Sequence, residues 1–179
     1  MQGEPEVAVL RLGHRPGRDE RTTTHVGLTA RALGADRAIL PAEAGESIDT
    51  AEEVTGRFGG PFAVEPTESP LQVVRDWVGA VVHLTMYGER VQDAIEDVRA
   101  RHREVPTLVV VGGGKVPFEV YERADWNVAV TNQPHSEIAA LAVFLDRLFD
   151  GRELSREWEG AARVVVPQER GKVVEDADS

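Results

Sequence analysis

The sequence predicts an α/β fold, a mostly parallel sheet flanked by helices, and three observations predict it. Six short apolar segments recur along nearly the whole chain, amphipathic stretches separate them, and several of the apolar segments run into loops rich in glycine or in hydrogen-bonding side chains. Alternation of this kind marks repeated strand-helix units around a sheet covered on both faces. With 179 residues, 41% of them hydrophobic, one core can be well filled. No linker or internal repeat divides the chain, so residues 1–179 are expected to form a single domain.

The strands are expected near residues 7–12 (VAVLRL), 37–40, 62–65, 80–86 (AVVHLTM), 107–112 (TLVVVG) and 127–130. Most are rich in Val, Ile or Leu, and residues 62–65 (FAVE) are apolar up to their last position. Helix starts are signalled between them. Ser69, followed by Pro70 and by Gln72 three residues on, reads as a capping box, and Thr50 with Glu53 reads as another. The most distinctive helix is SEIAALAVFLDRLFDG, with Ser136 as cap, Ile138, Leu141, Leu145 and Leu148 on one stripe, and an end near Gly151. Val143 and Phe144 lie on its other flank, so the helix is expected to be covered on more than one side, either by its own sheet and a second subunit or as the core helix of a monomer. After it the spacing predicts a polar return, one short strand and a disordered acidic tail at 174–179.

Composition removes several classes. No run approaches 18 apolar residues and the first residues lack the pattern of a signal peptide, so a soluble cytoplasmic protein with no membrane partner is expected. Without cysteine there is neither a disulfide framework nor a thiolate metal site. The net charge of −11 opposes RNA binding at first sight. The charge is uneven, however. Residues 11–31 carry Arg11, Arg15, Arg18, Arg21 and Arg31 against Asp19 and Glu20, whereas residues 43–69 carry seven acids and only Arg57. A ligand meets the local sign. The cations are almost all arginine, Lys115 and Lys172 being the two lysines, and such an acid-rich, lysine-poor surface suits a high-salt, halophilic cytoplasm.

Four segments can carry chemistry. VVVGGGKVP (109–117) sets three glycines and Lys115 straight after a buried strand, where a ligand can approach the backbone closely; the same glycines also suit a plain tight turn. It is no P-loop, because position 109 is Val and Lys115 is followed by Val116. VTNQPHSE (130–137) gathers Asn132, Gln133, His135 and Ser136 around a stiffening Pro134, and capping by Ser136 explains one of them. His135 and Glu137 match the H-x-E of zinc deaminases, but the partner P-C-x-x-C is impossible here. HLTMYG (83–88) closes the strand before the glycine loop and belongs beside it in a parallel sheet, with Leu84 and Met86 as lining or as core. LRLGHRPGRDERTTTHVGLTARALG (10–34) places His14, Arg15, Arg18 and Arg21 between a strand and a helix, forked donors suited to phosphate and ribose oxygens.

Taken together, in order and spacing, these segments resemble the archaeal tRNA cytidine-56 2'-O-methyltransferases, of the SPOUT class of knotted methyltransferases. The likeness spans about residues 7–174 and includes ADWNVAV, AALAVFLDRLF and PQERGK. It implies a C-terminal deep trefoil knot at roughly residues 80–150, a homodimer, a tRNA substrate, S-adenosylmethionine as cofactor and no metal. By the family pattern, cofactor contacts fall on Leu84, on Gly112, Gly113, Gly114, Lys115 and Val116, and on Val130, Thr131, Asn132, Gln133, Pro134, His135, Ser136 and Glu137. Relatives are expected to have Glu before the lysine, where this chain has Gly114.

The resemblance also implies a catalytic arginine near the N-terminus, Arg21 or Arg18, acting in its own subunit or across a dimer. Arginine keeps its proton in proteins, so its role is to orient phosphate and stabilise developing negative charge on oxygen. The proton acceptor is then His25, a phosphate or water. Two other functions remain compatible with the residues: a nucleotide-binding module without catalysis, and a methyltransferase of the same fold acting on a base.

Overall fold

Strand β1 (Val7–Arg11) is buried at every position, which is what a Val/Leu-rich run in the middle of a doubly covered parallel sheet requires. The computed structural model describes residues 4–112 and 114–177. After β1 come α1 (Glu20–Ala32), β2 (Arg37–Pro41), α2 (Gly45–Phe58), β3 (Ala63–Thr67), α3 (Pro70–Asp76), β4 (Ala80–Arg90), α4 (Val91–His102), β5 (Thr107–Val111), α5 (Phe118–Arg123), β6 (Trp126–Ala129) and α6 (Glu137–Phe149). A 3-10 turn (Arg152–Ser155) leads to β7 (Arg163–Val166) and β8 (Val173–Asp176).

The six expected strands form one sheet in the order β3-β2-β1-β5-β4-β6, every pair parallel. Strand alternation sorts the core into two layers. Val7, Val9, Val82, Leu84, Val109 and Val111 face one side with Val26, Ala30, Val98 and Phe144 of the long helices. Ala8, Leu10, Val81, Leu108 and Val110 face the other, against Val74 of α3 and Val120 of α5. The longest strand, β4, pairs with β6 twice: Leu84 and Glu89 both stand opposite Val128, so residues 85–88 leave the ladder and return. Gly88 makes the return possible, because a Cβ there would lie 2.3 Å from the Asn127 carbonyl oxygen.

Four expectations need correction. Thr50 starts no helix, because α2 already begins at Gly45; its hydroxyl returns to the Glu46 carbonyl at 2.8 Å. Ser69 does precede α3, but its side chain makes no cap bond and Gln72 spends its amide on Asp76 at 2.9 Å, so the box is not formed. The C-terminal return holds two strands. Val164, Val165 and Val166 pair antiparallel with Glu175, Val174 and Val173, and residues 174–176, expected to be disordered, belong to β8. Cross-strand valines and the Arg163–Asp176 contact at 3.4 Å account for that order. Finally, Phe144 is fully buried in the core with residues of α1 and α4, which leaves Ala139 and Val143 of α6 facing outward.

Candidate functional site

The C-terminal ends of β1, β4, β5 and β6 lie at one edge of a parallel sheet, where open α/β sheets bind ligands. Arg11, the last residue of β1, is 2% exposed. Its Nη1 donates to Glu137 Oε2 at 2.8 Å and to the Gly112 carbonyl at 3.3 Å, joining the loop after β5 to the first residue of α6. Leu12 continues the seam by donating its amide to the Val111 carbonyl at 3.1 Å. Three chain segments distant in sequence are thus fixed to one another through one guanidinium.

Beside this junction lies a cavity of about 510 Å³, lined by Leu84–Tyr87, Val111, Gly112, Gly114–Val116, Tyr121, Pro134, His135, Glu137 and Ala140. Its volume suits a small-molecule ligand. The walls are tied together by polar bonds. Asn132 Nδ2 donates to the carbonyls of Met86, at 2.8 Å, and Gly88, at 3.1 Å, holding the loop after β6 against the end of β4. Tyr121 and Thr85 exchange a hydroxyl bond at 3.3 Å, and the Tyr121 ring meets the His83 imidazole edge-on at 4.6 Å. His83 is fully buried with Nδ1 against Asn127 Oδ1 at 2.9 Å, and burial pushes its imidazole below the ordinary value. A neutral ring is the form this wall can hold.

The three segments singled out in the sequence therefore meet. Leu84, Gly112, Gly114, Lys115, Val116, Pro134, His135 and Glu137 line the cavity; Gly113 lies outside the described residues. Val130 packs against the core instead, Thr131 is exposed, and Asn132 acts as the bolt just described. The Gln133 carbonyl stands 2.6 Å from His135 Nδ1, and Ser136 caps α6 by accepting from the Ile138 amide at 3.2 Å. Gly114 has a φ of +119° with open space where a Cβ would stand, a conformation a glutamate rarely adopts. The loop's backbone at this position thus suits glycine. Tyr121 and Arg11 were missed as site residues, since no local pattern ties either to the loops they join.

The arginine loop borders the same edge without entering the cavity. His14 is buried, its Nδ1 2.8 Å from Thr23 Oγ1. Arg15 grips Asp19 with two forked bonds of 2.9 Å, and chiefly through these bonds the Asp19 carboxyl falls to about 2. Arg18, Arg21 and His25 lie outside the lining of the cavity and are exposed, Arg21 and His25 one helical turn apart on α1.

A family model described as tRNA ribose 2'-O-methyltransferase, aTrm56, matches residues 58–175. A tRNA (cytidine(56)-2'-O)-methyltransferase of Natronomonas pharaonis is 66% identical over 99% of this chain and 99% of its own length. One of Thermococcus kodakarensis is 56% identical over 94% of this chain and 96% of its own. Among solved structures, the SpoU methyltransferase AviRb of Streptomyces viridochromogenes in complex with AdoMet superposes with a TM-score of 0.55 at 18% identity, over 83% of this chain and 58% of that one. The A. aeolicus TrmH/SpoU tRNA modifying enzyme gives 0.56 at 14% identity, over 85% and 77%. At such identities the two structures establish the fold alone, the SpoU/TrmH arrangement.

Proposed function

The chain belongs to the tRNA ribose 2'-O-methyltransferase family, and from that premise we propose that it methylates the ribose 2'-hydroxyl of cytidine 56 in tRNA with S-adenosylmethionine. The observation that carries the reading is the convergence of the loops after β4, β5 and β6 on one cavity at the C-terminal edge of the sheet. The residues suit that cofactor. A Cβ at Gly112 would press within 3.3 Å of Val116, so the bare backbone keeps the cavity wall open to a ligand. Glu137, held on one oxygen by Arg11, offers the other to a hydroxyl or ammonium donor.

When bound, the cofactor supplies a methyl group already activated by its sulfonium. The protein's part is then to hold the ribose oxygen in line and to remove its proton. Arg18 and Arg21, exposed at the entry to α1, hold the substrate phosphate and stabilise charge developing on oxygen. His25 would accept the proton of the ribose hydroxyl. Because none of these three residues lines the cavity of its own chain, we read the enzyme as a homodimer in which one subunit's arginine loop serves its partner's cavity. The outward Ala139 and Val143 of α6 support that reading. We also read the chain as threaded in a trefoil knot, a reading supported by its likeness to structures of the SpoU/TrmH arrangement.

The test incubates the purified protein with labelled S-adenosylmethionine and unmodified tRNA. The expected result is one label at cytidine 56 and resistance of that linkage to alkali, since a 2'-O-methyl removes the nucleophile of alkaline cleavage. A label on a base, or an alkali-sensitive linkage, defeats the reading. In the same assay Arg21→Ala should lose single-turnover methylation by at least about a hundredfold while binding the cofactor normally. Near-normal turnover removes Arg21 from the mechanism.

A further inference from the structure

The far end of α1 carries a second cationic site, away from the cofactor cavity. Arg31, in the last turn of the helix, is 7% exposed. Its Nη2 donates to the Gly59 carbonyl at 2.6 Å, and its Nε is buried with no hydrogen-bond partner among the described residues. Its guanidinium lies 4.5 Å from the centre of the Trp158 ring. Arg156 lies over the same ring at 5.1 Å, with a buried Nη1 that also lacks a partner.

Two like charges therefore share one indole with no carboxylate ion-paired to either among the described residues. Other arginines with shielded side chains are treated differently: Arg11 pairs with Glu137, Arg37 with Glu6 and Glu65, and Arg99 with Glu96 and Asp150. Burial and, after it, the charge of Arg156 press the Arg31 guanidinium below its ordinary value. In a chain with 31 acids, withholding one from this pair is the anomaly.

The surroundings are built rather than loose. The Gly60 amide donates to the Glu159 carbonyl at 2.8 Å and the Ala162 amide to the Arg57 carbonyl at 3.0 Å, fastening the C-terminal segment to the end of α2. Any side chain at position 60 would run into the Trp158 ring, 2.8 Å from its Cβ. Between these parts lies a cavity of about 590 Å³ whose walls include Arg31, Phe58, Arg156, Trp158, Arg163 and Val164, with Glu157 its one acid.

We propose that this cavity binds one unpaired nucleotide of the substrate RNA, its phosphate taken by Arg156 and Arg31 and its base laid against Phe58 and Val164. The RNA occupant rests on the function proposed above. Guanidiniums in search of an anion favour phosphate, and apolar and aromatic walls favour a base over a bare ion. Arg31 is ten residues beyond Arg21 on the same helix, roughly 15 Å along its axis, so one RNA molecule can touch both ends. Contacts that combine stacking with forked hydrogen bonds also survive salt better than point charges do.

The test measures affinity of the full-length protein for unmodified tRNA across a salt series, beside cofactor affinity, kcat at saturating tRNA, light-scattering mass and thermal melting. Arg156→Gln should weaken tRNA binding about tenfold and lower the slope of log affinity against log salt by about 0.7 to 0.9, one phosphate's share. Its kcat, cofactor affinity and melting should match the wild type. Arg156→Lys, which keeps the charge without the planar fork, should restore the slope but only part of the affinity. Phe58→Ser should weaken binding while leaving the slope unchanged. If the wild type binds and methylates tRNA and Arg156→Gln is indistinguishable from it, the proposal is overturned. A change in mass with unchanged tRNA affinity also overturns it, making the cavity a subunit contact. A wild type that binds no tRNA removes this proposal together with the functional reading.

Discussion

Arg11 shows how one residue can decide the geometry of a site it does not line. Its guanidinium is taken out of water, and what compensates is the pair of bonds that its Nη1 donates to Glu137 and the Gly112 carbonyl. Arg11→Lys keeps the charge, but its side chain is one atom shorter and does not bring its nitrogen to both acceptors. We expect it to weaken S-adenosylmethionine binding by about 1 to 2 kcal/mol, the worth of a charged hydrogen bond discounted because Glu137 is 33% exposed. Tight tRNA binding should persist, so calorimetry with the cofactor and a separate tRNA titration check the split. Equal losses in both would mean that Arg11 supports the fold in general. Little of this was legible in the sequence: Arg11 read as one more cation of the loop because its acid stands 126 positions away. The loops themselves were legible, since each follows a strand and is marked by residues a routine turn does not need.

Among the elements, the strands could be read because continuous Val, Ile and Leu runs have few other uses in a parallel sheet. Helix starts were harder, since a Ser or Thr followed by Glu or Gln three residues on also occurs inside a helix, as Thr50 does. The two shortest helices depend most on tertiary contacts, being too short to be stable alone. Besides Val74 and Val120, α3 and α5 are joined by Glu119, which accepts two bonds of 2.7 Å from Arg75 and one of 2.8 Å from Arg123. Chiefly by the Arg75 bonds, its carboxyl falls from the ordinary 4.5 to about 2. A depressed carboxyl stabilises the folded state above its ordinary value, and that contribution drains away as pH falls from 4.5 toward 2. Wild type should therefore exceed Glu119→Gln in stability at pH 7, with the gap closing across that window. A gap that is constant from pH 6 to pH 2.5, measured by denaturant unfolding, would separate Glu119 from acid sensitivity.

At the scale of the whole molecule the question is how a chain of net charge −11 holds together. The acids are not spread evenly. Glu46, Asp49, Glu52 and Glu53 stand exposed on α2, and the cation paired with them there is Arg57, 3.4 Å from Glu53. Helix neighbours three or four positions apart are about 5–6 Å distant at Cβ, and like charges so placed repel. Screening decides whether that repulsion is felt: the Debye length is about 10 Å at 0.1 M salt and about 3 Å at 1 M. Repulsion across 5–6 Å is thus present in dilute buffer and largely lost in molar salt. Salt also weakens the exposed ion pairs, but these contribute little each and sit at contact distance. The melting temperature should accordingly rise between 0.1 M and 2 M potassium chloride. Asp49→Lys, which breaks the acidic row, should melt higher than wild type at 0.1 M and close to it at 2 M. A wild-type melting temperature that is flat or falling over this range, by calorimetry, would show that ion pairs outweigh the repulsion. The acid-rich surface would then owe nothing to a saline medium.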